Sequence, residues 1–155
     1  MTMRVWTVGH STRTADAFLG LLRENGIEVL ADIRRFPTSR WEAFKQDNLR
    51  GSSAAAGIEY VHLAELGGFR TGGYLAFTAT EEFARGIERL LGLAADRRTA
   101  VMCAEAVFFR CHRRHVADAL VRRGVQVLHI LRPGKLHRHV ATERLDASRA
   151  PPGKV

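Results

Sequence analysis

Asn25-Gly-Ile-Glu-Val-Leu30 decides the fold, because its pattern returns at Ala56-Gly-Ile-Glu-Tyr-Val61 and at Arg123-Gly-Val-Gln-Val-Leu128. In each copy a glycine follows a helical stretch, and a run of β-branched and apolar residues comes directly after it. Glycine is the usual residue just past a helix C-terminus, because it adopts positive φ without a Cβ clash. Helix, glycine and buried strand in succession are typical of an α/β domain with a largely parallel sheet.

The rest of the chain carries the sequence patterns of further strands and helices. Apolar runs predict five strands, at residues 4–8, 29–33, 59–63, 99–102 and 126–131. Helical spacing predicts helices at residues 14–25, around 41–56, at 80–94 and at 111–123. We therefore predict an α/β fold of three layers, a five-stranded and mainly parallel sheet with helices on both faces. Residues 1–132 form this single domain, and residues 133–155 form a basic, weakly structured C-terminal tail.

Composition favours a soluble single-domain protein of the cytoplasm. A chain of 155 residues with 46% hydrophobic and 26% charged residues is ordinary for a globular domain. No apolar run approaches the roughly 20 residues that cross a bilayer, and the first residues lack a signal-peptide pattern. Two cysteines are too few for a disulfide scaffold, so we expect a cytoplasmic protein without a membrane partner.

The net charge of +8 favours a polyanionic partner mainly through the C-terminal tail. Residues 132–155 carry six basic and two acidic side chains, so half of the excess positive charge lies in this segment. Nucleic acid is therefore expected to contact the tail if it binds at all, and a solvated basic surface is the simpler interpretation. No glycine-rich dinucleotide fingerprint and no Walker-type loop occurs, so we predict no cofactor.

Both cysteines lie where a predicted strand ends and a predicted helix begins. Within residues 101–114, a short apolar run ends on Cys103, and Cys111 opens the helical pattern eight residues later. In open α/β sheets, ligands bind outside the carboxyl ends of the strands. At a helix start, Cys111 would feel the positive end of the helix dipole and the nearby Arg110 and Arg113, which favour its thiolate.

Polar side chains follow four successive strands, and we predict that they share one pocket at the sheet edge. The candidate catalytic residues are Cys103, Cys111, His10, Glu105 and His112. The candidate substrate-binding residues are Ser11, Asp32, Arg34, Arg35, Ser39, Glu65 and Arg113. Thiols, carboxyls and imidazoles carry out covalent and acid–base chemistry, and arginine holds anions. The expected ligand is therefore a small anionic molecule.

Several of these residues also have an interpretation without function. Cys103 is equally expected as a small core side chain, and His10 as the hydrogen-bond partner of a neighbouring loop. Asp32 has the alternative role of a structural partner for an arginine, either Arg34 or Arg113. The remaining histidines that we assign to the surface or to packing are His115, His129, His137 and His139.

Four motifs in order resemble those of a known bacterial family. The motifs are Val8-Gly-His-Ser11; Asp32-x-Arg-Arg-Phe-Pro-x-Ser39; Gly57-Ile-x-Tyr-Val-His-Leu63 with Glu65-Leu-Gly-Gly68; and Met102-Cys-Ala-Glu105 with Cys111-His-Arg113. Over residues 4–132 they resemble the family called domain of unknown function 488. The resemblance implies membership and no particular activity, because the family's name assigns none.

A weaker similarity connects the chain with rhodanese-like domains and cysteine phosphatases, in which a strand ends in a nucleophilic cysteine before a helix. In those folds the loop after the cysteine points backbone N–H groups at an anion. Here Arg110 lies seven positions after Cys103, the loop between them has no glycine, and Glu105 adds a negative charge. An anion cradle of the usual kind is therefore not expected.

Three hypotheses about function remain open. We favour a small enzyme whose thiol, histidine, arginine and carboxylate side chains act on a small anionic substrate. The first alternative is a nucleotide- or nucleic-acid-binding module without catalysis, whose arginines contact phosphates while Trp41, Phe69 or Tyr74 stack on bases. The second is a metal-binding protein, with ligands drawn from Cys103, Cys111, His112, His115 and His10. Neighbouring arginines oppose a cation, so we assign no metal ligands.

Overall fold

Strands and helices alternate along the chain, which confirms the predicted α/β class. The computed structural model describes residues 2–108 and 111–141. Its strands are β1 (Arg4–Gly9), β2 (Val29–Asp32), β3 (Glu59–His62), β4 (Thr99–Cys103), β5 (Gln126–Arg132) and β6 (Lys135–Arg138). Its helices are α1 (Ala15–Glu24), α2 (Gln46–Ala55), α3 (Tyr74–Phe77), α4 (Glu81–Ala94) and α5 (Arg113–Arg122), with 3₁₀ turns at Glu42–Phe44 and Ala64–Leu66.

The strands form one sheet in the order β3-β2-β4-β1-β5-β6. Strand β1 pairs in parallel with β4 and β5, and β2 pairs in parallel with β3 and β4. Strand β6 is antiparallel to β5. In this register Gly9 lies opposite Cys103, and Asp32 lies opposite Met102. The ends of β1, β2 and β4 therefore meet at the same edge of the sheet.

Each face of the sheet has its own hydrophobic core, which gives the three predicted layers. On the first face, called the α5 face, strand residues pack with side chains of α4 and α5, among them Val5, Ala31, Val101, Cys103, Phe83, Ile87, Val116 and Leu120. On the opposite face, called the α1 face, strand residues pack with side chains of α1 and α2, among them Trp6, Leu30, Met102, Phe18, Leu22 and Leu49. Successive side chains of a strand alternate between these faces.

The three repeated glycines end helices, as the sequence pattern predicts. Gly26, Gly57 and Gly124 follow α1, α2 and α5 with φ values of 65°, 78° and 83°. This left-handed region is costly for residues with a Cβ atom, so glycine is the favoured residue there. At the opposite helix ends, the hydroxyls of Thr14 and Thr80 accept hydrogen bonds from first-turn backbone N–H groups of α1 and α4.

The sheet has six strands rather than the predicted five, and the sixth lies in the segment expected to be a weakly structured tail. Strand β6 follows a tight turn in which Gly134 has a φ of 71°. All four of its side chains are exposed. It therefore lacks the buried face whose alternating apolar residues mark a half-buried strand in the sequence. Residues 142–155 of the predicted tail lie outside the described residues.

Helix boundaries depart from the predicted ones in two places. Helix α5 begins at Arg113 rather than at residue 111. The predicted helix around residues 41–56 is divided into a 3₁₀ turn and α2, which begins after Lys45. None of the helices in the described ranges combines the length and apolarity that a membrane crossing requires.

Candidate functional site

The two cysteines lie side by side at the carboxyl edge of the sheet, on the α5 face. Cys103 is the last residue of β4, and Cys111 precedes α5 by two residues. Both thiols are free, and their Sγ atoms are 2.7 Å apart. The two side chains are only 1% and 9% exposed, respectively. The prediction placed both cysteines at this edge, and the structure puts them in direct contact.

Contact between the thiols makes their pKa values unequal. Burial opposes a negative charge on Cys103, but the S–H of Cys111 and the positive charge of Arg113 outweigh burial and lower the pKa of Cys103. The hydrogen bond to Cys103 and burial together raise the pKa of Cys111. Cys103 is therefore the thiol that ionises first, and Cys111 is its S–H donor.

The expectation that the helix start favours a thiolate at Cys111 is wrong. The backbone N–H of Arg113 does approach Cys111 Sγ at 3.4 Å, and with the charge of Arg113 it acts to lower the pKa of Cys111. The contact with Cys103 outweighs both effects. Sequence spacing gives no indication of a contact between two side chains eight residues apart in an irregular loop.

His112 is held in one tautomer by its neighbours. Its Nε2 lies 3.0 Å from the carbonyl oxygen of Ile33, which can only accept, so Nε2 carries the hydrogen and donates it. Its Nδ1 is then an acceptor, 3.5 Å from Cys111 Sγ. Burial, aided by the positive charge of Arg113, lowers the pKa of His112 to about 4. The ring is therefore neutral at neutral pH, and its Nδ1 lies beside Cys111 Sγ while the S–H of Cys111 is donated to Cys103.

Arg113 is 1% exposed, yet its guanidinium group is only partly paired. Nη2 donates to the carbonyl oxygen of Ala106 at 3.2 Å. Nε and Nη1 are buried and donate to no residue that the structure describes. Burying a positive charge and unpaired N–H groups is costly, because water that would hydrate them is excluded. The guanidinium therefore has the capacity to bind an anion beside the thiols.

The turn after β1 supports the loop that follows Cys103. The backbone N–H groups of His10 and Ser11 donate to the carbonyl oxygens of Cys103 and Ala104 at 3.0 and 2.9 Å. Gly9 makes this approach possible, because a Cβ atom there would lie 1.8 Å from the carbonyl oxygen of Glu105. Ser11, a predicted substrate-binding residue, has a φ of 47° in this turn.

A second polar cluster lies on the α1 face, where Asp32 is fully buried. Its carboxylate accepts from Arg34 Nε at 2.9 Å and Nη2 at 2.7 Å, and from the Tyr60 hydroxyl at 2.5 Å. Arg34 Nη1 donates to the carbonyl oxygens of Thr38 and Phe44. Asp32 is thus the structural partner of Arg34, which was the alternative interpretation of this residue.

His10 belongs to this second cluster rather than to the thiols. Its ring stacks on Phe44 with 4.4 Å between ring centroids, and Nδ1 donates to the carbonyl oxygen of Ser11 at 3.0 Å. Nε2 is buried and has no hydrogen-bond partner among the described residues. Burial lowers the pKa of His10, and the charge of Arg34 contributes. The single predicted pocket is therefore divided between the two faces of the sheet.

Two predicted substrate-binding residues after β2 bind backbone instead. Arg35 donates to the carbonyl oxygen of Phe69 at 2.6 Å, and Ser39 Oγ accepts from the backbone N–H of Trp41 at 3.0 Å. Arg35 also lines an open cleft of about 440 Å³, together with Arg70, Thr71, Ala76, Phe77, Thr80 and Glu82. Neither cysteine lines this cleft, so the cleft is not the site of the thiol pair.

The carboxylates of the two predicted glutamates form no hydrogen bond with either thiol among the described contacts, although the charge of Glu105 acts to raise the pKa of Cys103. Glu65 forms an ion pair with Arg89 of α4 at 2.6 Å. Burial opposes its charge, but Arg89 outweighs burial and lowers the pKa of Glu65. The Glu105 side chain is exposed. Glu105 contributes its backbone carbonyl oxygen, which lies 3.6 Å from Cys103 Sγ.

Sequence reasoning missed Arg13, which lies beside Arg113. Arg13 donates to the carbonyl oxygens of Gly9 and Leu131 at 2.9 and 2.8 Å. Burial and the positive charge of Arg113 lower the pKa of Arg13. Two guanidinium groups therefore make this part of the α5 face electropositive. No spacing rule marks an arginine in a loop as the neighbour of one a hundred residues later.

Sequence reasoning also missed a buried chain of hydrogen bonds beside Arg113. The Asp118 carboxylate lies 2.6 Å from His139 Nε2, and His139 Nδ1 lies 2.8 Å from His129 Nε2. For neutral rings, Nε2 of each histidine then donates, and His129 Nδ1 accepts from the Thr7 hydroxyl at 2.5 Å. His129 and His139 are buried, which agrees with the packing role and not the surface role of the prediction, and both belong to a polar network that was not predicted.

Phe108 joins this network to the thiol loop. Its ring stacks on His129 with 3.8 Å between centroids and 3° between planes. Its carbonyl oxygen accepts from the backbone N–H of Cys111 at 3.2 Å. Burial, together with the charges of His139 and Arg113, lowers the pKa of His129 to about 3. The ring against which Phe108 packs is therefore uncharged.

The described residues give no support to the alternative of a Cys and His metal site. Within residues 2–108 and 111–141, no group of three or more histidine, cysteine, aspartate or glutamate side chains is arranged to hold a metal ion. The candidate ligand His10 lies with Phe44 on the α1 face, away from the thiols. The positive charge of Arg113 beside the sulfur atoms further disfavours a cation.

Fold and site together define a small α/β protein with a buried thiol pair at the carboxyl edge of its sheet. The chain belongs to the family described as Domain of unknown function DUF488, whose model matches residues 14–120. No curated protein and no solved structure shows significant similarity to the chain. The weaker resemblance to rhodanese-like domains and cysteine phosphatases is not confirmed. The family description states no activity, so function must be argued from the site.

Proposed function

We propose that this protein is a small thiol enzyme that uses Cys103 as a nucleophile on a small anionic substrate held by Arg113. The observation that carries the proposal is the buried Arg113 guanidinium beside the thiol pair. Its Nε and Nη1 donate to no described residue. An anion that accepts from both groups would offset the cost of burying them.

Cys103 supplies the reacting electron pair in this proposal. The Cys103 thiolate forms a bond to the electrophilic atom of the substrate, and the leaving group departs with the electron pair of the bond that breaks. Negative charge thus moves from sulfur to the leaving group, while Arg113 stays close to both. Cys111 stabilises the thiolate through its S–H, and the His112 ring beside Cys111 is neutral.

The predicted residues outside this cluster receive other roles. Asp32 and Arg34 fix the turn after β2, because their hydrogen bonds join the strand to Tyr60 and to the backbone of Phe44. Glu65 holds a 3₁₀ turn to α4 through Arg89. We assign no acid–base step to His10 or Glu105.

Alkylation of single cysteines against pH tests the nucleophile. Cys111→Ser leaves Cys103 with a hydroxyl donor in place of the S–H and with Arg113 nearby, so we expect its reaction with iodoacetamide to have a pH midpoint below that of an ordinary thiol. Cys103→Ser leaves Cys111, whose midpoint should not fall below that of an ordinary thiol, because burial raises its pKa. The midpoint is used rather than the rate, because burial slows alkylation at every pH.

Arg113→Met added to Cys111→Ser should raise the midpoint of Cys103, because the charge that stabilises the thiolate is removed. Arg123→Met is the matched control, since Arg123 is exposed at the far end of α5. Ordinary midpoints for both cysteines, or equal effects of the two arginine substitutions, would remove the basis of the proposal.

A further inference from the structure

We propose that Cys103 and Cys111 form a two-electron dithiol–disulfide couple that is oxidised by a small hydroperoxide. This inference rests on the proposed function, from which it takes Cys103 as the nucleophile. It adds the class of oxidant and gives Cys111 a covalent role as the resolving thiol. The contact between the two Sγ atoms, at 2.7 Å, carries the argument.

The contact determines what happens to an oxidised Cys103. A sulfenic acid on Cys103 condenses readily with a neighbouring thiol, and the nearest thiol is already in contact. Cys103 ends a strand, whereas Cys111 belongs to the loop before α5. A sulfur–sulfur bond would therefore join the end of β4 to the segment that leads into α5.

The chemistry balances in two steps. In the first, the Cys103 thiolate attacks one oxygen of the hydroperoxide, an S–O bond forms, the O–O bond breaks, and hydroxide or alkoxide leaves with the electron pair. In the second, Cys111 sulfur attacks the sulfenic sulfur, an S–S bond forms, the S–O bond breaks, and the thiol proton leaves with the oxygen as water. The two sulfur atoms are oxidised by two electrons, and the peroxide is reduced.

Burial favours a hydroperoxide over a disulfide as the oxidant. Exchange with a disulfide needs a bulky sulfur to approach Cys103 in line, but Cys103 is 1% exposed. A hydroperoxide presents a single small oxygen. The oxygen anion that forms when the O–O bond breaks is also a suitable acceptor for Arg113 Nε and Nη1, the buried donors without a described partner.

The test uses hydrogen peroxide on the reduced full-length chain, followed by mass spectrometry of the intact protein. We expect the wild type to lose two hydrogen atoms as a disulfide forms. In Cys111→Ser the sulfenic acid on Cys103 should persist, and dimedone should trap it as an adduct. Cys103→Ser should give no dimedone adduct.

Two outcomes would overturn the inference. One is a wild-type chain that stays a dithiol under peroxide, without the loss of two hydrogen atoms. The other is oxidation by glutathione disulfide at a higher rate than by peroxide. If either occurs while alkylation still shows a lowered Cys103 midpoint that depends on Arg113, the proposed function stands and the peroxide chemistry fails. If that midpoint is also ordinary, both fail.

Discussion

Two buried arginines in this protein differ in what surrounds them. The guanidinium of Arg34 is occupied by the Asp32 carboxylate and by backbone carbonyl oxygens, so its charge is neutralised within the fold. The guanidinium of Arg113 donates to the Ala106 carbonyl oxygen, and two of its nitrogen atoms, Nε and Nη1, have no described acceptor. A sequence shows both as arginines near strand ends. The carboxylate partner is what distinguishes a structural arginine from a candidate for ligand binding.

His112 should make stability depend on pH. Its pKa falls from 6.5 to about 4 on folding. Between these two pH values, His112 is therefore protonated in the unfolded chain and neutral in the folded chain. The stability from a neutral His112 is therefore complete above pH 6.5 and is lost as the pH falls towards about 4. The loss amounts to about 3 kcal/mol, measured as the free energy of unfolding in urea.

His112→Gln is the variant that isolates this effect, because a glutamine amide can donate to the Ile33 carbonyl oxygen and does not titrate. We expect its free energy of unfolding to decline less than that of the wild type over the same pH interval. The decline that remains includes the contribution of His129, whose pKa is also lowered. Parallel pH profiles for variant and wild type would show that His112 is not the group responsible.

At the scale of elements, one close approach positions the thiol loop. A Cβ atom on Gly9 would meet the Glu105 carbonyl oxygen at 1.8 Å and Ala106 Cα at 2.9 Å. Gly9→Ala must therefore push this loop away from β1, and the Ala106 acceptor of Arg113 moves with it. We expect the free energy of unfolding to fall by about 1–3 kcal/mol, the usual cost of overpacking.

Gly20→Ala is the matched control for this prediction. Gly20 lies in α1, and a Cβ atom there would meet nothing within 4 Å. Alanine is the better helix former, so this substitution should stabilise the protein by about 0.5–1 kcal/mol. Opposite signs for the two glycine substitutions are the expected result of the urea titrations. Equal effects would mean that the close approach of the loop to β1 contributes little to the free energy of unfolding.

The elements that the sequence predicted well are those whose signal is local. A glycine in the left-handed region followed by an apolar run fixed the starts of β2, β3 and β5, and threonine caps fixed the starts of α1 and α4. Strand β6 has no such signal, because all its side chains are exposed at the sheet edge. A Pro-Gly pair at residues 133 and 134 precedes the strand, but a turn signal alone does not predict a strand after it.

At the scale of the whole molecule, the sheet separates residues that the sequence placed in one pocket. Parallel strand ends do meet at one edge, as predicted, but the sheet has two faces there. Cys103 projects with Val101 to the α5 face, while Asp32 projects with Leu30 to the α1 face. Strand order and register decide which side chains of different strands share a face, and neither is specified by local sequence patterns.

The same argument explains the missed network of Thr7, His129, His139 and Asp118. Its members come from β1, β5, the residue after β6, and α5. No local sequence pattern distinguishes any of them from its neighbours. Only the pairing of β1 with β5, and of β5 with β6, brings them together. Long-range polar contacts of this kind follow from topology, so they become visible after the fold is known.

The central claim is that Arg113 binds a small anion beside Cys103, and anion-dependent stability tests it most directly. Inorganic phosphate should raise the free energy of unfolding of the wild type, because ligand that binds the folded chain stabilises it by mass action. Arg113→Met should abolish this increase and, without phosphate, match or exceed the wild type in stability, because an underpaired buried charge is removed. The Arg123→Met control should respond as the wild type does. An equal response of all three proteins to phosphate, or none in the wild type, would contradict the claim.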